Sequence, residues 1–201
     1  MTRNVGIFLY DEVEVLDFAG PFEVFSTASR LILRQSPEAD PPFRALTVAE
    51  FARPIRARGG LTVMPAHDFS AHPPFAALIV PGGVVTAELQ NERGTRWLAA
   101  AVAHAEMAAS VCTGAFLLAN AGLLRGKQVT THWEDAAELQ AMFPDMTVKT
   151  GMRWVDEGRV VTSGGISAGI DMSLHLVARF AGEALAVATA RQMECDWRVM
   201  P

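Results

Sequence analysis

Apolar residues run along this chain in two ways: as short unbroken blocks bounded by turn residues, and as longer stretches recurring every three or four positions. The blocks Val5–Tyr10, Phe43–Ala49, Phe75–Val80, Met107–Val111 and Arg159–Thr162 predict strands, several apolar enough to be covered on both faces. Between them, Gly20-Pro21 predicts a helix start, followed by an apolar face of Phe22, Phe25 and Ile32. Further helices are expected over Arg93–His104, directly after Cys112, over Trp133–Met142, from an N-capping Ser167, and over Glu183–Met193. Arg53–Pro65, around Gly59-Gly60, reads as a hairpin, and Val129–Thr131 as a brief strand ending at His132. Thr147–Lys149 and Met152–Val155 read as extended, and Asp171, His175 and Arg179 as a polar stripe on one helix. Buried strands alternating with helices predict an α/β fold: a mostly parallel central sheet with helices on both faces.

Length and charge narrow the picture without changing it. The 201 residues suit a single domain spanning 1–201, with no internal repeat or credible linker. A chain of this size buries roughly 70% of its unfolded surface, so no disulfide staple is needed. Two cysteines and no signal-peptide pattern point to a reducing, cytoplasmic setting. No apolar run approaches the ~18 residues of a membrane span. The net charge of −5 and the scatter of basic residues argue against nucleic-acid binding by this chain alone.

The chemistry gathers around Met107–Gly122, where an apolar strand breaks at Cys112 and a helix begins at once. Most lone cysteines are small core residues. Here Ser110 and Gly114 flank the cysteine with small side chains, as a tight strand-to-helix turn demands. Such a turn offers the sulfur to the unpaired amides of a helix start, which favour an anion, so Cys112 is expected to be a nucleophile with a stabilised thiolate. Cys195, between Glu194 and Asp196, has the opposite surroundings and reads as incidental. Ligands of open parallel sheets bind beyond the carboxyl ends of the strands. That rule draws the loop holding Asp17, the Pro81-Gly82-Gly83 turn, Cys112 and Gly164-Gly165-Ile166 into one site. His132 is the histidine expected at a strand end; His67, His72, His104 and His175 read as loop or surface residues without metal-ligand spacing, and no metal is expected.

Six blocks in one order then resemble the ThiJ/PfpI superfamily, a flavodoxin-like group related to class I glutamine amidotransferases. They are Val15–Pro21, Val80–Gly83, Ser110–Gly114, Ala121–Lys127, Thr130–Trp133 and Thr162–Asp171. Within the superfamily the chain most resembles isonitrile hydratases, and the same blocks recur in ligand-binding domains of AraC-type regulators. The resemblance implies a flavodoxin-like three-layer sandwich, Cys112 as nucleophile and Asp17 as its acidic partner, with no cofactor. It also places Gly83 and Thr113 as backbone donors to an oxyanion, and His132 and Ile166 near the substrate. If Asp17 meets the thiol, the two acids share a proton, and a thiolate beside a neutral carboxylic acid is the form expected. The implied partners are a small-molecule substrate and a second copy in a homodimer. An amidotransferase would need a late His-x-Glu, which is missing after His175, and family peptidases carry histidine where Thr113 stands. Two rivals remain: a sensing domain, for which no helix-turn-helix pattern follows Met193, and a redox or carbonyl-stress protein with an oxidisable Cys112.

Overall fold

A computed structural model describes residues 1–198. In chain order the elements are β1 (Arg3–Phe8), α1 (Val15–Gln35), β2 (Phe43–Ala49), β3 (Ile55–Arg56), β4 (Thr62–Val63), β5 (His67–Asp68) and β6 (Ala77–Val80). Then come α2 (Thr86–Leu89), α3 (Glu92–His104), β7 (Met107–Val111), α4 (Gly114–Asn120), β8 (Gln128–Val129), α5 (Ala136–Met142) and β9 (Thr147–Val148). The last are β10 (Trp154–Asp156), β11 (Val160–Ser163), α6 (Ala168–Ala181) and α7 (Glu183–Gln192).

Seven strands form the central sheet in the order β10-β11-β7-β6-β1-β2-β5, with every pair parallel except β10 against β11. Helices α1, α6 and α7 pack together on one face, and α2, α3 and α4 on the other. Covered on both sides, Val5, Ile7, Leu78, Ile79, Ala108 and Ala109 lose all contact with solvent. Each large aliphatic side chain so buried contributes about 1.5–3 kcal/mol. This is the three-layer, mostly parallel sandwich expected from the alternation of blocks. The Gly59-Gly60 hairpin is also present, as the antiparallel pair β3–β4.

Three local expectations fail for physical reasons. Helix α1 begins at Val15, so Pro21 lies inside it rather than at its first position. Lacking an N–H, Pro21 cannot bond the carbonyl one turn back, which is that of Asp17. The helix buries Asp17, Phe18, Pro21, Val24, Phe25, Ala28 and Leu31, while Phe22 turns outward and is 38% exposed. Strand β8 stops at Val129 and pairs only with β9 in a small separate sheet, leaving Thr130, Thr131 and His132 in a coil segment. Ser167 occupies the N-cap position of α6, but its side chain makes no capping bond. The polar stripe of α6 is present, and its members are paired. His175 Nε2 and Arg179 Nη1 meet the Asp156 carboxylate of β10 at 2.6 and 3.0 Å, and Asp171 is paired with Arg153.

Candidate active site at the strand–helix elbow

Because the strands run parallel, the carboxyl ends of β1, β6, β7 and β11 share one edge of the sheet. Strand β1 lies between β2 and β6, so successive crossovers leave it in opposite directions and open a crevice there. The segments following these four strands carry Asp17, Gly82 and Gly83, Cys112 and Thr113, and Ile166.

At the elbow Cys112 has φ +57°, a left-handed conformation that a non-glycine residue holds only when its surroundings enforce it. The enforcement is visible on both sides. Its amide donates to the carbonyls of Ser163 and Gly164 at 3.2 Å each, and its carbonyl accepts the Thr131 hydroxyl at 2.8 Å. A Cβ on Gly114 would lie 2.0 Å from the Val80 carbonyl oxygen, so the helix can start this close to β6 only with glycine there. Cys112 is buried yet not sealed, with 7% of its surface reaching solvent. A cleft of about 210 Å3 is bordered by Thr131, Trp133, Lys149, Arg153 and Gly165, and neither Cys112 nor Asp17 lines it.

Asp17, in the first turn of α1, is wholly buried. Its Oδ2 accepts the Gly82 amide at 3.1 Å, while its Oδ1 has no hydrogen-bond partner. Burial raises its pKa to about 7; the Gly82 amide, the Cys112 thiol and the Ile166 amide pull it down, and the charge of Glu14 pushes it up. Burial also pushes the Cys112 thiol up, to about 12, with the charges of Asp17 and Asp135 acting the same way. The amide and hydroxyl of Thr113 pull the thiol down without reversing the outcome. These upward shifts run against the stabilised thiolate expected from the helix start. Desolvation and the two carboxylates act against the seven-residue helix at the sulfur.

Thr113 directs its hydroxyl to the turn after β6. That hydroxyl neither caps α4 nor reaches Asp17; it donates to the Gly83 carbonyl and accepts the Gly83 amide, both at 2.9 Å. The Gly83 N–H is thereby occupied and offers no free oxyanion donor, whereas the Thr113 amide faces the sulfur. Ile166 has φ +48° and a side chain 41% exposed at the mouth of the site. His132 packs against Gly165, where an added Cβ would meet its ring at 2.2 Å, and its Nδ1 stands 3.2 Å from Asp135 Oδ2.

Sequence reasoning passed over Tyr10, Asp135 and the separate part played by Gly82. A Cβ on Gly82 would lie 2.6 Å from the Thr113 amide nitrogen and 2.9 Å from Asp17 Oδ2, so only glycine fits between them. Gly82 did stand within the Pro-Gly-Gly block, and Asp135 three residues past His132, but neither position shows its partner in one dimension. Among the described residues no group of three histidine, cysteine or acidic side chains is arranged to hold a metal ion. None of their helices is long and apolar enough to cross a membrane.

Residues 3–179 match the model of the DJ-1/PfpI family. The chain belongs to this family. It is 31% identical to an isonitrile hydratase of Pseudomonas putida over 96% of its own length and 79% of that protein. It is equally 31% identical to the transcriptional regulator GbdR of Pseudomonas aeruginosa, where it covers 92% of itself and only 49% of the regulator. Among solved structures, a ThiJ/PfpI family protein of Pseudomonas syringae superposes with TM-score 0.85 at 26% identity, over 98% of this chain and 77% of that one. DJ-1beta of Drosophila melanogaster shares the fold at TM-score 0.83 and 16% identity, over 98% of this chain and all of that one. The DJ-1/PfpI flavodoxin-like fold is thus established, in a family that holds both an enzyme and regulators.

Proposed function

We propose that this DJ-1/PfpI member hydrates isonitriles to N-substituted formamides, with Cys112 as nucleophile and Asp17 as proton carrier. The observation that carries the reading is the pairing at the elbow: a buried thiol beside a buried carboxyl whose Oδ1 is unbonded and whose pKa stands near 7. A carboxyl so tuned can both take and return a proton at neutral pH. The likeness to the Pseudomonas putida hydratase supports the choice of substrate.

In this scheme Asp17 carboxylate takes the thiol proton as the sulfur attacks the terminal isonitrile carbon, then delivers it to that carbon. The product is a thioimidate, Cys112–S–CH=N–R. Water adds across the C=N bond, giving a tetrahedral S–CH(OH)–NH–R centre. The C–S bond then breaks, a proton returns to sulfur, and R–NH–CHO leaves. The Thr113 amide stabilises charge near the sulfur, and exposed Ile166 and Trp133 offer apolar surface for the R group. We further propose a homodimer, supported by the exposed apolar residues Leu16 and Phe22 of α1. Light scattering is expected to give a mass of about twice 21.7 kDa.

Incubation with a panel of isonitriles and chromatographic detection of formamide tests the chemistry. Cys112→Ala is expected to yield none, and Asp17→Asn to be slower by roughly 10^2–10^4, the usual worth of a placed acid–base group. Full turnover by Cys112→Ala would overturn the mechanism. A sensing role is the second reading, favoured by the likeness to GbdR. Saturable binding of the same compounds in a calorimeter, with no formamide formed, would decide for it.

A further inference from the structure

We infer that Tyr10 is a positioning residue that fixes, through a single peptide group, which way Asp17 is hydrogen-bonded. This builds on the reading of Asp17 as proton carrier. The hydroxyl of Tyr10, two residues past β1, donates to the Pro81 carbonyl at 3.0 Å. The same peptide group presents the Gly82 N–H to Asp17 Oδ2 at 3.1 Å. The chain of contacts is thus Tyr10 O–H to Pro81 C=O, then Gly82 N–H to the Asp17 carboxyl.

This peptide has two sensible orientations. As observed, its N–H faces Asp17 and favours the carboxylate. Turned over, it would present the Pro81 carbonyl, which only a protonated Asp17 could bond. Gly82, without a Cβ, leaves that rotation sterically open, so something must forbid it. The Tyr10 hydroxyl does so by holding the carbonyl on the far side, and its donation polarises the peptide and strengthens the N–H as a donor. The Gly82 carbonyl is held separately by the Glu14 amide at 2.8 Å, so the flip is confined to one peptide plane. Tyr10 is almost fully buried and its pKa is raised, by burial first and then by Asp17, Glu88, Cys112 and Glu14, so the phenol keeps the proton it donates. The groups facing Asp17 are Glu14 at the start of α1, the Gly82 amide after β6, Cys112 at the elbow and the Ile166 amide after β11.

The chain contains one tyrosine, so replacing all tyrosine with 3-fluorotyrosine alters position 10 alone. Fluorine on the ring makes the phenol a stronger donor and supplies a 19F signal. The rate of Cys112 alkylation by iodoacetamide is followed against pH, together with the 19F shift. In Tyr10→Phe the inflection near 7 is expected to move up by about one pH unit, a tenfold change in proton affinity. In the fluorinated protein it is expected to move down, with the 19F signal titrating at the same pH. An unmoved inflection in folded Tyr10→Phe overturns the inference. If Tyr10→Phe fails to fold, the fluorinated protein decides: an unchanged inflection and a 19F signal that does not titrate overturn it. Neither readout needs a substrate. Loss of formamide production with the shifts intact removes the hydratase reading alone, while turnover without the shifts removes this one.

Discussion

At Asp17, burial and the helix start pull in opposite directions. The first turn of α1 favours a carboxylate, and so does the Gly82 amide, yet removal from water is the larger effect and leaves the pKa at about 7. The consequence for stability has a definite sign. Between the ordinary 3.8 and about 7 the folded protein holds a proton that the unfolded chain has lost, so this residue's contribution declines as pH rises through that window. The full decline amounts to ~4 kcal/mol. Asp17→Asn keeps an acceptor for Gly82 and cannot ionise. Its stability relative to wild type is expected to grow from pH 5 to pH 8 in urea unfolding, and parallel behaviour at the two pH values would refute this account. A buried acid at this position thus costs stability at neutral pH.

The elbow shows what an element owes to its neighbours. Helix α4 has only seven residues, too short to be stable alone, and its position is set by contact with β6 and β7. Gly114→Ala would drive a methyl group into the Val80 carbonyl, and either α4 or the Pro81-Gly82-Gly83 turn must move away. A loss of about 1–3 kcal/mol is expected in urea unfolding. A displaced Thr113 amide should also alter the alkylation profile of Cys112. Wild-type stability in this variant would show the approach to β6 to be slack. The same dependence explains a missed boundary. Pro21 looked like a helix start because its lost N–H is free of cost there, but burial of Val13 and the bridge between Val13 and Gly83 bring the chain into α1 six residues earlier.

For the whole molecule, the antiparallel edge strand β10 is tied to α6 by one carboxylate. Burial pushes Asp156 up, but bonds from His175 and the Gly158 amide and the charge of Arg179 outweigh it and hold the carboxyl below its ordinary range. The sign is opposite to that of Asp17: this contribution is present at neutral pH and is lost as pH falls through the lowered pKa. Asp156→Asn is expected to unfold at lower urea than wild type at pH 7, with the gap narrowing toward pH 3. Hydrogen exchange should locate the loss at β10–β11 while β1, β6 and β7 keep their protection.

What could be read along the chain was whatever depends on near neighbours. Phe43–Ala49 and Met107–Val111 are strands to the residue, since an unbroken apolar block between turn signals leaves little alternative. Cys112 stood out because small residues beside it and a helix directly after it are local facts. The tertiary structure alone decided the electrostatics. Desolvation depends on everything packed around a group, so the sign of the Cys112 shift came from the burial that the whole fold imposes and from Asp17 and Asp135, which stand 95 positions before it and 23 after it in the chain. Thr113 bonds Gly83, Tyr10 bonds Pro81 and His175 bonds Asp156 for the same reason. Side-chain partners across a parallel sheet are fixed by strand order, and no local pattern of residues encodes that order.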